Sequence, residues 1–198
     1  MGKRRSDGVN GISRRTALGV PAAMLLATAE ASAAQEARAA SRTLVACFSR
    51  SGNTRVIAGQ LRRELPADLF EILPAAPYPE DYEATVAQAR RERDAGIRPA
   101  LKAEVPDVAA YDTLFLGFPI WGGTAPPVVR SFLASHDLSG KTVRPFITHG
   151  GHGLGDSLAV VQRHAPRAAL APAFSMQADQ ERRTMNEVRD WLGAMPRP

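Results

Sequence analysis

Three hydroxyl side chains, Ser49, Ser51 and Thr54, fall within six residues of one another and are interleaved with Gly52 and Asn53, two residue types that tolerate tight or left-handed turns. Leu44 to Phe48, apolar throughout, runs directly before them. After them Ile57, Leu61 and Leu65 recur at the four-residue spacing of a helix face. The N–H groups of a helix's first turn have no partner inside the helix, so a strand, a Ser/Gly loop and a helix in that order can hold a phosphate. The helix dipole offers an exposed anion about 0.3 to 1 kcal/mol, and about 2 kcal/mol when partly buried. Each hydrogen bond to a charged group offers about 1.5 to 3 kcal/mol, so the wrapped loop outweighs the dipole. Arg50 stands inside the loop and would neutralise part of a phosphomonoester's charge of about −1.5 to −2. The competing reading is a plain strand-to-helix turn with Asn53 or Ser51 as its N-cap.

Two other segments are unusual in composition. Pro119 to Pro127, PIWGGTAPP, carries one large aromatic side chain, two glycines and no charge. Trp121 has about 200 Å² to bury, against a flat ligand or in ordinary core packing. Thr148 to Gly155, THGGHGLG, holds four glycines and two histidines, so its backbone can come close to a bound ring. His149 and His152 admit two readings, polar filling of the loop or movement of protons. None of the three segments carries a dedicated acid, base or nucleophile, and no Cys/His cluster has the spacing of a metal site. The single cysteine, Cys47, lies inside the first apolar run and reads as a small buried hydrophobe.

Such loops need a scaffold, and the rest of the chain alternates strand and helix patterns as an α/β protein with a parallel sheet does. Leu44 to Phe48 lacks polar alternation, as a strand covered on both faces should. Pro66 ends the helix that follows. Leu69 to Leu73 reads as a second strand, and Tyr82 to about Ala95 as a surface helix whose apolar stripe is only Tyr82, Val86 and Ala89. Leu101 to Ala110 reads as a loop, and Thr113 to Phe118 as a third strand. Pro126 and Pro127 suit the first turn of a helix with Val128, Val129, Phe132 and Leu133 on its core face. Thr142 to Thr148 is expected to be a fourth strand, and Leu154, Leu158 and Val161 mark a fourth helix. A weak fifth strand spans Ala169 to Phe174, and a last helix spans Gln180 to Leu192 with Met185, Val188 and Leu192 inward. In an open parallel sheet ligands bind beyond the carboxyl ends of the strands, where all three unusual segments fall.

With 198 residues, 44% of them apolar, the chain suits one domain with a real core plus a tail. Its net charge of +5 is uneven: residues 1–33 hold five basic and two acidic side chains, the remainder 20 against 18. A body so nearly balanced argues against nucleic-acid binding. The excess near the start has another explanation. Ser13, Arg14 and Arg15 precede an Ala-rich apolar stretch, Ala17 to Ala29, and then small-residue sites such as Ala31-Ser32-Ala33. That order is the order of a secretory signal, and its Ser-Arg-Arg start resembles a twin-arginine export signal. The stretch is shorter than the ~20 residues a membrane span needs, so no stable insertion is expected once it is removed. Residues 1–40 are thus expected to be export signal and linker, residues 41–198 the folded domain, and the destination the periplasm.

In chain order stand Tyr78-Pro79-Glu80-Asp81-Tyr82, Arg98-Pro99, Tyr111 to Pro126, Gly140-Lys141-Thr142 and Thr148 to Gly153, with FSRSGNT ahead of them. Together they resemble the flavodoxin-like family over essentially all of residues 43–192. The resemblance implies a three-layer sandwich, a five-stranded parallel sheet in order 2-1-3-4-5 with helices on both faces. It also implies FMN as cofactor. Ser49, Arg50, Ser51, Gly52, Asn53 and Thr54 would surround its phosphate. Pro119, Ile120, Trp121, Gly122, Gly123 and Thr124 would line the isoalloxazine, with Trp121 stacked on it. Thr148, His149, Gly150, Gly151, His152 and Gly153 would close the other side. Two departures stand out: Gly122 where relatives often have a second Trp, which would leave one flavin face less covered, and His152 where Ser is more usual.

The function expected on these grounds is electron transfer by a single-domain flavoprotein, exchanging electrons with a partner protein or a membrane donor. A weaker reading is an FMN-dependent NAD(P)H:quinone-type oxidoreductase. A third, of another class, is a binding module that has lost its cofactor.

Overall fold

The structure is a computed structural model that describes residues 43–178 and 181–195. The expected export signal and linker lie outside the described residues. Within them the chain forms β1 (Thr43–Cys47), α1 (Asn53–Glu64), β2 (Ala67–Glu71), α2 (Tyr82–Asp94), a short 3₁₀ turn (Val108–Ala110), β3 (Thr113–Pro119) and α3 (Pro127–Ser135). It continues with β4 (Thr142–His149), α4 (Ser157–His164), β5 (Ala169–Leu170), β6 (Phe174–Gln177) and α5 (Glu181–Gly193). Among the described residues the strands of the sheet pair in parallel and their order is β2-β1-β3-β4-β5, with β6 also on β4.

Period-two alternation of the strands divides the core between two helical layers. On one face Leu44, Ala46, Leu114, Leu116 and Ile147 meet Val128, Phe132 and Val160 from α3 and α4. On the other Val45, Cys47, Phe115 and Phe146 meet Ile57 and Leu61 from α1 and Val188 from α5. β1 is therefore apolar on both sides because both sides are covered. The side chain of Met185 is outside those described, while Val188 is fully buried.

Two strands differ from expectation. β2 begins at Ala67 and ends at Glu71, two residues ahead of the expected Leu69 to Leu73, its ladder running from Thr43↔Ala67 to Cys47↔Glu71. It is an edge strand with a partly wet face, leaving Leu69 40% exposed, so apolar content alone misplaced it. Ile72, just beyond it, is fully buried and its N–H still reaches the Cys47 carbonyl at 2.8 Å. The fifth strand runs past Phe174 to Gln177 and is broken at Ala171-Pro172-Ala173. Proline has no N–H for the ladder, so the strand bulges and resumes opposite Phe146 to His149.

Candidate functional site

The carboxyl ends of β1, β3 and β4 are in register, Cys47 beside Gly117 and Gly117 beside Phe146. The loops after them consequently emerge together, although about 100 residues of sequence separate the first from the last. Two buried contacts join the loops. Thr54 Oγ1 at the start of α1 lies 2.8 Å from Thr148 Oγ1 at the end of β4. The N–H of Ile120 donates to the Thr148 carbonyl at 2.8 Å.

In the first loop, Gly52 takes φ 100° and precedes α1, which has no capping side chain and no acidic residue in its first turn. The N-cap position falls to Gly52, with no capping hydrogen bond from a side chain. Ser49 Oγ instead accepts the Gly52 N–H at 3.1 Å and holds the loop curled. Arg50 reaches outward and donates to the carbonyl of Glu80, just ahead of α2. The loop thus offers hydroxyls and a helix N-terminus to an anion, with a guanidinium beside them.

The second loop is a tight hairpin. Trp121 N–H donates to Thr124 O at 3.0 Å, and Thr124 N–H donates back to Trp121 O at 3.3 Å. Gly122 and Gly123 between them have φ 57° and 78°, the paired positive values of a type I′ turn. Backbone geometry therefore favours glycine at both positions. Trp121 packs edge-on to Phe48 (5.2 Å) and to Tyr78 (4.9 Å), so its ring is fixed by two others. Beneath the turn Arg130 donates to Thr124 Oγ1 (3.0 Å) and to the Ala125 carbonyl (3.2 Å). Burial pulls this guanidinium below its ordinary range, opposed by Asp156 and reinforced by Arg93 and Arg163.

A cavity of about 560 Å³ opens between these loops and α2, within the size range of small-molecule sites. Ser49, Arg50, Ser51 and Thr54 line one end; Pro119, Ile120, Trp121, Gly122 and Thr124 line a wall. Gly52, Asn53 and Gly123 are not among its lining residues, nor are Thr148 to Gly153. Thr148 is buried behind Thr54, His149 Nδ1 accepts the Gly151 N–H at 3.1 Å, and Gly150 to His152 are exposed.

The opposite wall, which sequence reasoning missed, is α2: Tyr82, Thr85, Val86, Ala89, Arg90 and Arg93 face the cavity. Its stripe of Tyr82, Val86 and Ala89 is aimed at this space, leaving Tyr82 65% and Val86 44% exposed. Asp81 caps the helix by accepting from Ala84 N–H at 2.7 Å, and Thr85 Oγ1 ties it back to the Pro79 carbonyl at 2.7 Å. Glu92, buried on the inner side, accepts from Tyr78 OH at 2.8 Å and from Gln88 at 2.8 Å. Burial first, and Glu92 second, keep the Tyr78 phenol protonated far above its usual range. The Tyr-Pro segment ahead of α2 is therefore a brace for this wall. Lys141 of Gly-Lys-Thr is also structural, since its Nζ donates to the carbonyls of Tyr111 (2.5 Å) and Ala109 (3.4 Å).

A 2-1-3-4-5 parallel sheet with a hydroxyl-bearing loop after the first strand and an aromatic turn after the third defines the flavodoxin-like class of α/β protein. A family described as flavodoxin matches residues 42–195, and the chain belongs to that family. A candidate flavoprotein of Bacteroides eggerthii is 33% identical, with 76% of this chain and 95% of that one covered and a TM-score of 0.66. Another, from Bacteroides uniformis, is 29% identical over 77% and 98%, with a TM-score of 0.69. A flavoprotein of Lactobacillus acidophilus in complex with FMN has the same fold at 20% identity, 74% and 99% coverage and a TM-score of 0.61. No curated protein matches the chain.

Proposed function

We propose that the protein binds FMN non-covalently and works as an electron-transfer flavoprotein. One observation carries the proposal: a single cavity has anion-binding hydroxyls at one end and an immobilised Trp turn along one wall, the two chemistries a flavin mononucleotide requires. The Lactobacillus acidophilus structure in complex with FMN supports the same assignment by similarity of fold. When bound, the flavin would supply the electron chemistry. Ser49, Ser51 and Thr54 would take the phosphate, Arg50 would offset part of its charge, and Trp121 with the Gly122 turn would orient the ring and exclude water from one side. Among the described residues no carboxylate, imidazole or thiol lines the cavity.

Titration of FMN with purified protein should quench flavin fluorescence and leave the protein yellow. A colourless protein that does not quench would favour the cofactor-free binding module. Turnover of NADPH with a quinone would move the reading to an oxidoreductase.

The electron partner, on this reading, is a protein or a membrane donor. No helix among the described residues is long and apolar enough to cross a membrane. Export by the twin-arginine route belongs to the same proposal and rests on Ser13-Arg14-Arg15 and the apolar and small-residue stretches behind them. The visible spectrum of protein recovered from the periplasm tests export and cofactor together, and replacing Arg14 and Arg15 by Lys should keep the protein in the cytoplasm.

A further inference from the structure

The geometry points to Arg93 as a further cofactor-site residue, a cation set against the ring wall that makes the site favour the reduced, anionic flavin over the oxidised one. This rests on the FMN reading of the cavity and goes beyond it. A Cβ built on Gly122 would lie 2.7 Å from Arg93 Nη1, so the guanidinium occupies the place where a side chain at residue 122 would project. The flavin face expected to be less covered for want of a second Trp is therefore flanked by a cation from α2, 29 residues earlier in the chain.

The environment keeps that charge effective. Arg93 is 33% exposed, whereas Arg90, one turn earlier on the same helix, is 75% exposed. Arg93 Nε donates to Asp94 Oδ1 at 3.0 Å, and the same carboxylate lies 3.6 Å from Arg90 Nε. One carboxylate, itself 55% exposed, is shared between two guanidiniums, so the pair keeps a net positive charge. Arg130 is bonded to Thr124 of the same turn and close enough to Arg93 for the two charges to repel, with Asp156 as the carboxylate acting on it. The turn thus has two guanidiniums beside it, one bonded to Thr124 and one over Gly122, and no carboxylate lines the cavity among the described residues.

Two electrons and one proton added to the neutral isoalloxazine leave it with one net negative charge. A fixed cation stabilises that state and is nearly indifferent to the neutral one, and its influence is strongest where water is excluded. Gly122 permits the arrangement because any larger residue would displace the guanidinium.

The test compares wild type, R93Q, R93K and R91Q, each titrated with oxidised FMN and with FMN reduced anaerobically, and each brought to its midpoint potential against a reference dye. R93Q should weaken binding of reduced FMN about tenfold more than that of oxidised FMN, lowering the two-electron midpoint by about 30 mV. R93K, which keeps the charge, should recover most of that difference. R91Q removes the same charge from an exposed position on the same helix, where solvent screens it, and should change the ratio by less than about twofold. Equal behaviour of R93Q and R91Q would overturn the role of Arg93 while leaving FMN binding intact. A wild-type protein that quenches neither form would overturn the reading of the cavity, and this inference with it.

Discussion

Thr54 Oγ1 and Thr148 Oγ1 lie 2.8 Å apart in the interior, one at the first turn behind the hydroxyl loop and the other at the end of β4. Both are nearly inaccessible, with 1% and 3% of their surface exposed. Each hydroxyl has the other as a partner, and this one contact sets the first loop against the third. Replacing Thr148 by Val should cost about 1 to 3 kcal/mol, because the Thr54 hydroxyl is then buried without that bond. Replacing both by Val removes the orphaned group and should restore part of the loss. Urea denaturation of the two variants checks the order, which would be reversed if the bond contributed nothing.

Gly155 and Gly153 provide a matched pair. Gly155 has φ 53° and a Cβ there would come within 1.8 Å of the Gly123 carbonyl oxygen, a backbone atom that cannot swing aside. Gly153 has φ 73° with nothing within 4 Å of a Cβ. Gly153→Ala should therefore cost only the left-handed penalty of about 1 to 2 kcal/mol. Gly155→Ala should add overpacking of about 1 to 3 kcal/mol and, by pushing the 121–124 turn, weaken FMN binding as well. Thermal melts and FMN titrations of the two variants separate the effects.

Gly117 on β3 lies under the Phe146 ring, where a Cβ would meet ring carbons at 2.1 Å. Phe146 is fully buried, so a shift of its ring must displace other core side chains. Gly117→Ala should destabilise by about 1 to 3 kcal/mol. The double variant with Phe146→Leu should be more stable than Gly117→Ala alone, a coupling that a denaturation cycle would measure.

Cys47 is 1% exposed between β2 and β3. Burial first, with Glu71 adding to it, pushes its thiol up from 9.0 to about 12. The native protein should therefore ignore a thiol-specific reagent at pH 8 and react with one equivalent only after unfolding. The folded state holds this proton more tightly than the unfolded state. Its contribution to stability is complete below about pH 9 and is lost as pH rises towards about 12. Reaction at the native rate of a free thiol would contradict the burial.

Much of this architecture is written in local patterns. Leu44 to Phe48 and Thr113 to Phe118 are apolar without alternation, and that pattern follows from helices on both faces, as the two buried clusters show. Pro66, Pro126 and the four-residue spacings locate helices because the helix repeat acts over a few residues. Where the local signal was weak, boundaries moved. β2 is an edge strand whose half-wet face carries little pattern, and β6 lies past a proline that reads as a stop.

The amino-acid order alone determined the α/β alternation, the hydroxyl loop and the uncharged Trp-bearing loop, because each depends on residues adjacent in sequence and on constraints of φ, hydrogen bonding and periodicity that neighbours impose on one another. Only the tertiary structure decided that α2 forms the opposite wall of the cavity, that Tyr82 and Val86 face it, that Thr148 stands behind Thr54, and that Arg93 fills the space over Gly122. The physical reason is range. Those relationships join positions between 26 and 94 residues apart, and their distances are set by sheet register and helix packing, which no window of neighbouring side chains contains.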